Sequence, residues 1–399
     1  MPDIRLRNAC LLHPPANAGS APVWDLEVTG GRITALRPAG SAPAVAAVEP
    51  DLAGRVVLPG FVDCHTHACF AGSRLDEWTL KLEGADYLEI LRGGGGIMAT
   101  VRATRQASQS GLAETLHARL ERMLAHGSTS IEVKSGYGLD TESELKMLRA
   151  IADAADRFAG TVVPTACIGH AIDPEQDRGA FVRRTLTETL PAVSAEFPGI
   201  AIDAYCEQGA WTLEDCIALF DAAQAAGHPI RVHADQFNRL GMIDAAIERG
   251  YLSVDHLEAT DHDALVRLAQ SRVYGVMLPA SGFHLDERYA DGRTFLDAGG
   301  HLALGTNFNP GSAPCLSMPF VIALAVRKLG LTPVEAIDAA TAAAASVLGF
   351  EDRGRIEVGL RADLVVLHAT DPRELAWEFG GNPVQRVMVA GQWISVNSI

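Results

Sequence analysis

Short apolar runs recur through the middle of this 399-residue chain, and segments with apolar residues three and four positions apart lie between them. The runs predict buried strands and the spaced segments predict amphipathic helices. Eight runs occur, at 60–63, 129–133, 162–168, 200–205, 230–232, 252–254, 273–278 and 302–304. The clearest helical segments are 112–126, 142–155, 213–226 and 261–268. Because eight strands alternating with helices close a parallel barrel, we predict an α/β fold with a TIM-like (β/α)8 barrel over residues 58–354.

Both chain ends differ from this middle, because they alternate apolar and polar residues and carry Gly and Pro between short runs. This pattern predicts antiparallel strands. The predicted strands are 4–6, 24–28, 30–36, 54–58, 354–357, 362–367 and 384–389. Since two similar ends flank a different middle, we expect residues 1–57 and 355–399 to form one small composite β-sandwich domain.

An insertion at 71–104 follows the first predicted barrel strand and contains four consecutive glycines at 93–96. Glycine permits close backbone approach and motion, so the insertion predicts a loop over the mouth of a site. A flexible connector without function is the alternative.

Composition narrows the range of partners. The formal net charge is −16 and no long basic run occurs, which argues against nucleic acid and anionic membranes. The seven cysteines are scattered without a Cys-x-x-Cys pair, as expected for reduced thiols. The first residues lack a signal-peptide pattern and no apolar stretch approaches the length of a membrane span. We therefore expect an acidic, cytoplasmic protein.

Histidines follow several predicted strands at the same relative place. His65 and His67 follow the first strand, His233 follows the fifth and His256 the sixth. Positions i and i+2 of a strand share a face, so the first two imidazoles can reach one point. Each histidine alone could be structural. Together they predict a transition-metal site at the carboxyl ends of the strands, where parallel barrels build active sites.

These histidines and several longer motifs resemble the amidohydrolase superfamily and, more narrowly, its imidazolonepropionase family. The motifs include His65-Thr66-His67, Lys-Ser-Gly-Tyr-Gly at 134–138 and Asn-Pro-Gly-Ser at 309–312. The resemblance implies hydrolysis of the cyclic amide C–N bond of 4-imidazolone-5-propanoate to N-formimidoyl-L-glutamate in histidine degradation, with one Zn²⁺ or Fe³⁺ ion. It implies metal ligands His65, His67, His233 and Asn307, catalytic residues His256, Asn307 and Gln236, and substrate-binding residues Arg74, Tyr137, His170, Asn309 and Gly311.

The chemistry of ring opening agrees with these residue types. A cyclic amide needs a nucleophilic hydroxide, a Lewis acid at its carbonyl and a proton for the departing nitrogen. A metal on three histidines lowers the pKa of bound water toward neutrality. His256 could orient that water or stabilise the oxyanion. Arg74 suits a propanoate because its planar fork can form paired hydrogen bonds, although a surface ion pair would also explain it.

Two absences narrow the reaction further. Amidohydrolases with two metals commonly have a carboxylated lysine after strand four, where this chain has Tyr205-Cys206-Glu207, so one metal is favoured. Deaminases carry a glutamate where this chain has Gln236, and an amide cannot shuttle a proton. Lys134, which ends strand two, is explained by burial beside Glu132 or Glu207.

Position 307 departs from the family, which has a metal-binding, proton-carrying aspartate there. Asn307 offers only a neutral carbonyl oxygen and no base. Three explanations stay open: an aspartate replaced to trap substrate, a relative that uses another base on an altered ring, and a binding protein without turnover. Our hypothesis is that Asn307→Asp restores ring opening.

The sequence thus favours an imidazolonepropionase activity impaired by Asn307. Two alternatives stay open: hydrolysis of a related cyclic amide with a carboxylate tail, such as a hydantoin propanoate, and metal-dependent binding of such acids without catalysis. Three imidazoles and an oxygen accept zinc and iron alike, so the residues do not distinguish the two metals. The barrel size and apolar composition favour a homodimer.

Overall fold

The computed structural model describes residues 3–15, 22–41, 50–84 and 95–395. Four strands come first: β1 (Ile4–Leu11), β2 (Trp24–Thr29), β3 (Arg32–Pro38) and β4 (Val56–Pro59). Gly30 and Gly31 turn the chain from β2 into β3 with φ values of +57° and +76°. Glycine adopts these values without steric cost, so this pair suits a tight hairpin between two paired strands.

Eight parallel strands form the barrel, each paired with the next along the chain. They are β5 (Phe61–Asp63), β6 (Ser128–Lys134), β7 (Thr161–Gly169), β8 (Ala201–Cys206), β9 (Arg231–Ala234), β10 (Ser253–His256), β11 (Tyr274–Met277) and β12 (Leu302–Leu304). Every one of them lies in a predicted apolar run or overlaps it. The predicted (β/α)8 fold is therefore confirmed.

The first and last barrel strands meet just beyond their carboxyl ends. The amide of Asn307 donates to the carbonyl of His65 at 2.9 Å, and the amide of His67 donates to the carbonyl of Phe308 at 2.9 Å. These two bonds bring the segments after β5 and β12 together. Residues far apart in sequence therefore become neighbours on the carboxyl-terminal face of the barrel.

Helices surround the barrel strands. They are α1 (Leu75–Leu82), α2 (Ile97–Gln106), α3 (Gln109–Ala125), α4 (Thr141–Ala155), α5 (Arg178–Arg184), α6 (Leu190–Glu196), α7 (Leu213–Ala225), α8 (Met242–Arg249), α9 (His262–Ala269), α10 (Pro279–Leu285), α11 (Gly292–Asp297), α12 (Met318–Lys328), α13 (Pro333–Asp338) and α14 (Ala344–Val347). π-helical turns at Thr185–Thr189 and Ala339–Ala343 join α5 to α6 and α13 to α14. In the described ranges, no helix combines the length and apolar character needed to span a bilayer.

Polar side chains begin many of these helices. Asp140 accepts from the amide of Ser143 at the start of α4, and Thr212 accepts from Asp215 at the start of α7. Such caps satisfy amide groups that have no partner within the helix. All four helices predicted from apolar spacing are present, with ends within a few residues of the prediction.

The insertion at 71–104 is more ordered than the predicted loop. Helix α1 and the first part of α2 lie within it. Residues 85–94, which include two of the four glycines, fall outside the described residues. The described part of the insertion is therefore largely helical where a loop over the mouth of the site was predicted, and several of its residues line the cavity.

Strands from both chain ends form a second sheet. The C-terminal part adds β13 (Leu364–Leu367), the short helix α15 (Glu374–Trp377), β14 (Val384–Val389) and β15 (Gln392–Ile394). The seven strands lie in one mixed sheet in the order β15-β14-β13-β4-β1-β2-β3. Strand β1 pairs with β4 in parallel, and the other neighbours are antiparallel. The expected composite β domain is confirmed; its predicted boundaries stay a prediction.

One predicted strand is absent. Residues 354–357 form bends and irregular backbone. Gly354 adopts a φ of +83°, and a Cβ there would lie 2.9 Å from the Ala345 Cβ of α14. A residue with positive φ interrupts an extended strand, and here it lets the backbone pack tightly against a helix.

The central strand β4 links the sheet to the barrel. Successive side chains of a strand point to opposite faces. In β4, Val57 packs into the core of the composite sheet, whereas Val56 and Leu58 pack into the larger core that contains the barrel. At Gly60, between β4 and β5, a Cβ would lie 2.2 Å from Thr129 Oγ1. The chain therefore needs glycine where it crosses from one sheet to the other.

Candidate active site

A cavity of about 670 Å³ opens at the carboxyl ends of the barrel strands. The structure places nearly all predicted site residues in its wall: His67, Arg74, Tyr137, His170, His233, Gln236, His256, Asn307, Asn309 and Gly311. His65 is fully buried and packs edge-on against His67 and His233. The segments that follow the strands have thus brought residues distant in sequence to one place, as parallel barrels do.

Three imidazoles converge beside this cavity. His65, His67 and His233 are buried, and each offers a ring nitrogen within 4.8 Å of the others. The Nε2 atoms of His67 and His233 are 3.0 Å apart. Two imidazole nitrogens this close share either a proton or a common cation. The histidine set therefore fits a metal of the kind that nitrogen ligands bind.

The same histidines are neutral at ordinary pH. Burial lowers the pKa of His233 to about 4. Burial also holds the pKa of His65 and of His67 well below the usual range, helped by nearby Lys134 and His170 respectively. Neutral imidazole has a lone pair available, and this is the form that binds a cation.

Two buried carboxylates decide which nitrogen of each ring faces inward. Nδ1 of His65 donates to Asp255 at 2.6 Å, and Nδ1 of His233 donates to Asp203 at 2.9 Å. A proton held on Nδ1 leaves the Nε2 lone pair for a metal. Nε2 of His65 is buried and has no hydrogen-bond partner among the described residues. This atom is therefore available as a metal ligand.

A buried ion network holds those carboxylates. Lys134 Nζ donates to Glu132 at 2.6 Å and to Asp203 at 2.7 Å, and Arg231 donates to Glu132 at 2.9 Å and to Asp255 at 2.7 Å. Burial opposes the charge on Lys134, but the three carboxylates together raise its pKa. Lys134 therefore stays cationic behind the histidines.

The predicted pairing of Lys134 is correct for Glu132 and wrong for Glu207. The carboxylate of Glu207 accepts from the backbone amides of Phe237 and Asn238 at 2.9 and 3.1 Å. It fixes the loop after β9 instead of contacting the lysine. Asp203, two strands away on β8, is the second carboxylate partner of the lysine in place of Glu207.

Asn307 presents an oxygen toward the same region. Its Nδ2 donates to Ser281 Oγ at 2.8 Å, and its buried Oδ1 has no hydrogen-bond partner among the described residues. The residue has a φ of +52°, which asparagine tolerates better than most side chains. A buried carbonyl oxygen without a donor fits a cation.

His256 lies above the histidine group in a strained stretch of backbone. Its ring centroid is 5.5 Å from that of His233, and its Nδ1 lies 3.1 Å from Glu258 Oε1. His256 and Leu257 have φ values of +93° and +76°. Such conformations cost about 1–3 kcal/mol each and cluster at functional sites. This backbone conformation accompanies the placement of the imidazole in the cavity wall.

Aromatic residues form one side of the cavity. The ring of His170 stacks on His67 with centroids 4.6 Å apart, and Nδ1 of His170 lies 2.9 Å from the carbonyl of Gly136. Burial lowers the pKa of His170 to about 4, so the ring is neutral at ordinary pH. Its Nδ1 contacts Gly136, which leaves Nε2 as the nitrogen free to contact a ligand. Tyr137 packs edge-on against the His170 ring at 5.2 Å. This wall suits a flat heterocycle.

Polar groups form the rest of the cavity wall. Tyr205 donates its hydroxyl to Gln236 Oε1 at 2.8 Å. Asn309 Oδ1 accepts from the amides of Gly311 and Ser312 at 2.8 and 2.7 Å, which fixes the turn after β12. Arg74 contacts Glu77 near this turn. The cavity thus combines aromatic, amide and cationic groups around the histidines.

Sequence reasoning missed several residues of this site: Asp203, Asp255, Arg231, Ser281 and Glu77. A signal for the first three was present, because each is a charged residue inside a short apolar strand. Arg231 lies two residues before His233 and therefore shares its face of β9. Ser281 and Glu77 lie on helices and show no comparable pattern.

Comparisons with known proteins agree with this geometry. The model of the amidohydrolase family matches residues 56–394. The imidazolonepropionase of Deinococcus radiodurans is 44% identical over 92% of this chain and 90% of its own length. That of Herpetosiphon aurantiacus is 43% identical over 88% of this chain and 84% of its own.

Solved structures show the same fold at low identity. A 5-methylcytosine deaminase from Klebsiella pneumoniae superposes with a TM-score of 0.76 at 16% identity, covering 99% of this chain and 98% of that chain. A triazine hydrolase variant gives 0.75 at 19% identity, with 98% and 94% covered. The chain therefore belongs to the amidohydrolase family and, within it, to the imidazolonepropionases, which makes it a metal-dependent hydrolase of C–N bonds.

Proposed function

We propose that this chain opens the ring of 4-imidazolone-5-propanoate to N-formimidoyl-L-glutamate, with one zinc or iron ion bound by His65, His67, His233 and Asn307. The observation that carries the proposal is the convergence of three neutral imidazoles beside a cavity that also contains Arg74. Relatives named imidazolonepropionase support the choice of substrate. When bound, the cation supplies Lewis acidity toward a carbonyl and lowers the pKa of water.

A single cation is favoured over two. A second group that could hold a metal, Cys167, Asp203 and His233, shares one histidine with the first. The Lys134 ammonium lies 2.7 Å from Asp203 and already compensates that carboxylate. Burial holds the pKa of Cys167 well above its ordinary value, so the thiol is protonated. A second cation would have to displace the lysine and remove the thiol proton.

The chain's own residues bind the substrate from both ends. His170 and Tyr137 provide a flat wall for the ring, and the outer nitrogen of His170 can hydrogen-bond a ring atom. Arg74 provides the positive charge for the propanoate carboxylate, and the turn with Asn309 and Gly311 lies beside it. Charge-assisted hydrogen bonds to a guanidinium are about twice as strong as neutral ones. The tail therefore fixes the orientation of the ring.

Our candidate for proton exchange with the substrate is His256, whose side chain lines the cavity. Asn307 and Gln236 are amides and cannot exchange a proton at ordinary pH. Nδ1 of His256 faces Glu258, so Nε2 is the atom left for the substrate. We assign to His256 Nε2 the uptake of a proton from the attacking water and the transfer of that proton to the leaving nitrogen; between the two events the imidazolium can donate to the oxyanion. Gln236 orients the ring. Ring opening is consequently slower here than in a site with a carboxylate at position 307.

Asn307→Asp tests the proposed reaction. A carboxylate adds both a charged ligand and a general base, and a positioned base contributes about 10² to 10⁴ in rate. We expect turnover of imidazolone propanoate by the metal-loaded protein to rise by at least ~10²-fold, measured by loss of the substrate's absorbance. Gln208→Glu, which adds the same charge at the cavity wall away from the histidines, is the control. An aspartate variant as slow as the parent would reject the proposal.

A non-catalytic binder is the second candidate, and Asn307 is the observation that favours it. Calorimetric binding of the same acid without product, persisting in Asn307→Asp, would support it. Turnover of a hydantoin propanoate in a substrate panel tests the alternative that the chain hydrolyses a related cyclic amide.

A homodimer and a cytoplasmic location stay predictions. Analytical ultracentrifugation tests the predicted homodimer.

A further inference from the structure

Arg74 is held by Glu77 along one edge of its guanidinium. Nε donates to Glu77 Oε2 and Nη2 donates to Oε1, both at 2.5 Å. The two side chains are 13% and 9% exposed, so water competes little for this contact. A contact through two parallel hydrogen bonds fixes the plane of the guanidinium as well as its position. The guanidinium that the sequence predicts to bind the substrate carboxylate therefore already has one of its two edges, Nε and Nη2, paired with Glu77.

Glu77 is itself fixed from a second direction. Its Oε2 also accepts from the amide of Gly96 at 2.8 Å. Gly96 begins α2 with a φ of +72°, whereas Glu77 and Arg74 belong to α1 and the residue before it. The carboxylate thus connects two helices of the insertion. Arg74 cannot rotate without breaking this three-way contact.

The other edge of Arg74 faces the cavity. Nη1 has no hydrogen-bond partner among the described residues. A Cβ added to Gly311 would lie 3.1 Å from it, so Nη1 lies directly against the turn after β12. Gly311 is also held, because its amide donates to Asn309 Oδ1 at 2.8 Å. The edge formed by Nη1 and the outer hydrogen of Nη2 is therefore presented from a fixed position.

We infer that Glu77 is a positioning residue that sets the length of the carboxylate tail accepted by the site. The inference rests on the proposed function, since it takes the ring to lie beside the histidines. With the histidines fixed at one end and Arg74 at the other, the distance between them selects a tail. Without Glu77, the long arginine side chain can follow a shorter tail, because four torsion angles become adjustable.

Affinities of two stable probes test this selection. Imidazole-4-propanoate and imidazole-4-acetate differ by one methylene group and are not hydrolysed. We expect the zinc-loaded parent protein to bind the propanoate at least ~10-fold tighter in calorimetry, the low end of discrimination for one methylene. In Glu77→Gln the ratio of the two affinities should fall below ~3-fold, whatever the direction in which each affinity moves.

Control variants separate positioning from general damage. Glu196→Gln removes a similar two-bond partner from exposed Arg149 and should keep the parental ratio. Gly311→Ala crowds Nη1 without touching Glu77 and should also lower the ratio. A parental ratio in Glu77→Gln, or equal affinities in the parent, would overturn the inference. Because neither probe reacts, a failed ring-opening assay would reject the proposed reaction and leave this result unaffected.

Discussion

Asn307 differs from aspartate by one atom, yet its side chain can present either an oxygen or an amide NH₂ to a cation. In the structure the Ser281 hydroxyl accepts from Nδ2, and Oδ1 is left toward the histidines. Ser281 is 1% exposed, so water does not replace it. The sequence predicted that Asn307 reaches the site. It could not predict which atom faces inward, because that depends on a helix residue 26 positions away.

Ser281→Ala tests this orientation. The amide loses the partner of its Nδ2 group and can turn that group toward the cation. We expect the dissociation constant for zinc to rise by about 10- to 100-fold, the usual cost of losing a residue that orients a ligand. Competition with a chromophoric chelator measures it. Ser271→Ala, remote from the cavity, should leave zinc binding unchanged; the same constant in both variants would contradict the assigned role.

At the scale of elements, the strand period of two explains how the site is built. Glu132 and Lys134 share one face of β6, and Arg231 and His233 share one face of β9. Those faces point into the barrel, so charged residues form a layer directly beneath the imidazoles. Apolar runs therefore predicted the strands well. Which charged residues pair with each other depends on the register between strands, and the spacing of residues within one strand does not predict that register.

Lys134→Met tests how strongly this layer depends on charge balance. The variant leaves Glu132 and Asp203 without the ammonium that both contact. Removing one partner of a buried ion pair typically costs about 3–5 kcal/mol. We expect that loss in the free energy of unfolding measured with urea on metal-free protein.

Arg149→Met provides the comparison for Lys134→Met. It breaks an exposed ion pair with Glu196 and should cost less than about 1 kcal/mol. Equal losses for the two variants would show that the buried layer contributes no more than an exposed pair.

At the scale of the whole molecule, the predicted metal ligands come from barrel strands that are far apart in the sequence. His65 and His67 follow β5, His233 lies on β9, and Asn307 follows β12. A cation bound there connects the first, fifth and last strands. The order of elements and the composite sheet followed from the sequence pattern. The two helices of the insertion did not, because the four consecutive glycines at 93–96 favour a loop and the helices are short.

Removal of metal should therefore destabilise the entire fold. A ligand that binds only the folded state at about 100 times its dissociation constant adds about 2.7 kcal/mol. We expect the melting temperature of chelator-treated protein to rise on addition of zinc, and His233→Ala to lose that response. His301→Ala, outside the cavity, should retain it. An equal rise in His233→Ala would place the stabilising zinc elsewhere.

The proposed chemistry depends most on where the cation binds. Anomalous difference maps recorded at the zinc absorption edge from zinc-loaded crystals would locate it directly. We predict one peak among the Nε2 atoms of His65, His67 and His233 and the Oδ1 atom of Asn307. An empty map at that point, or a peak bound instead by Cys167 and Asp203, would contradict the proposed site.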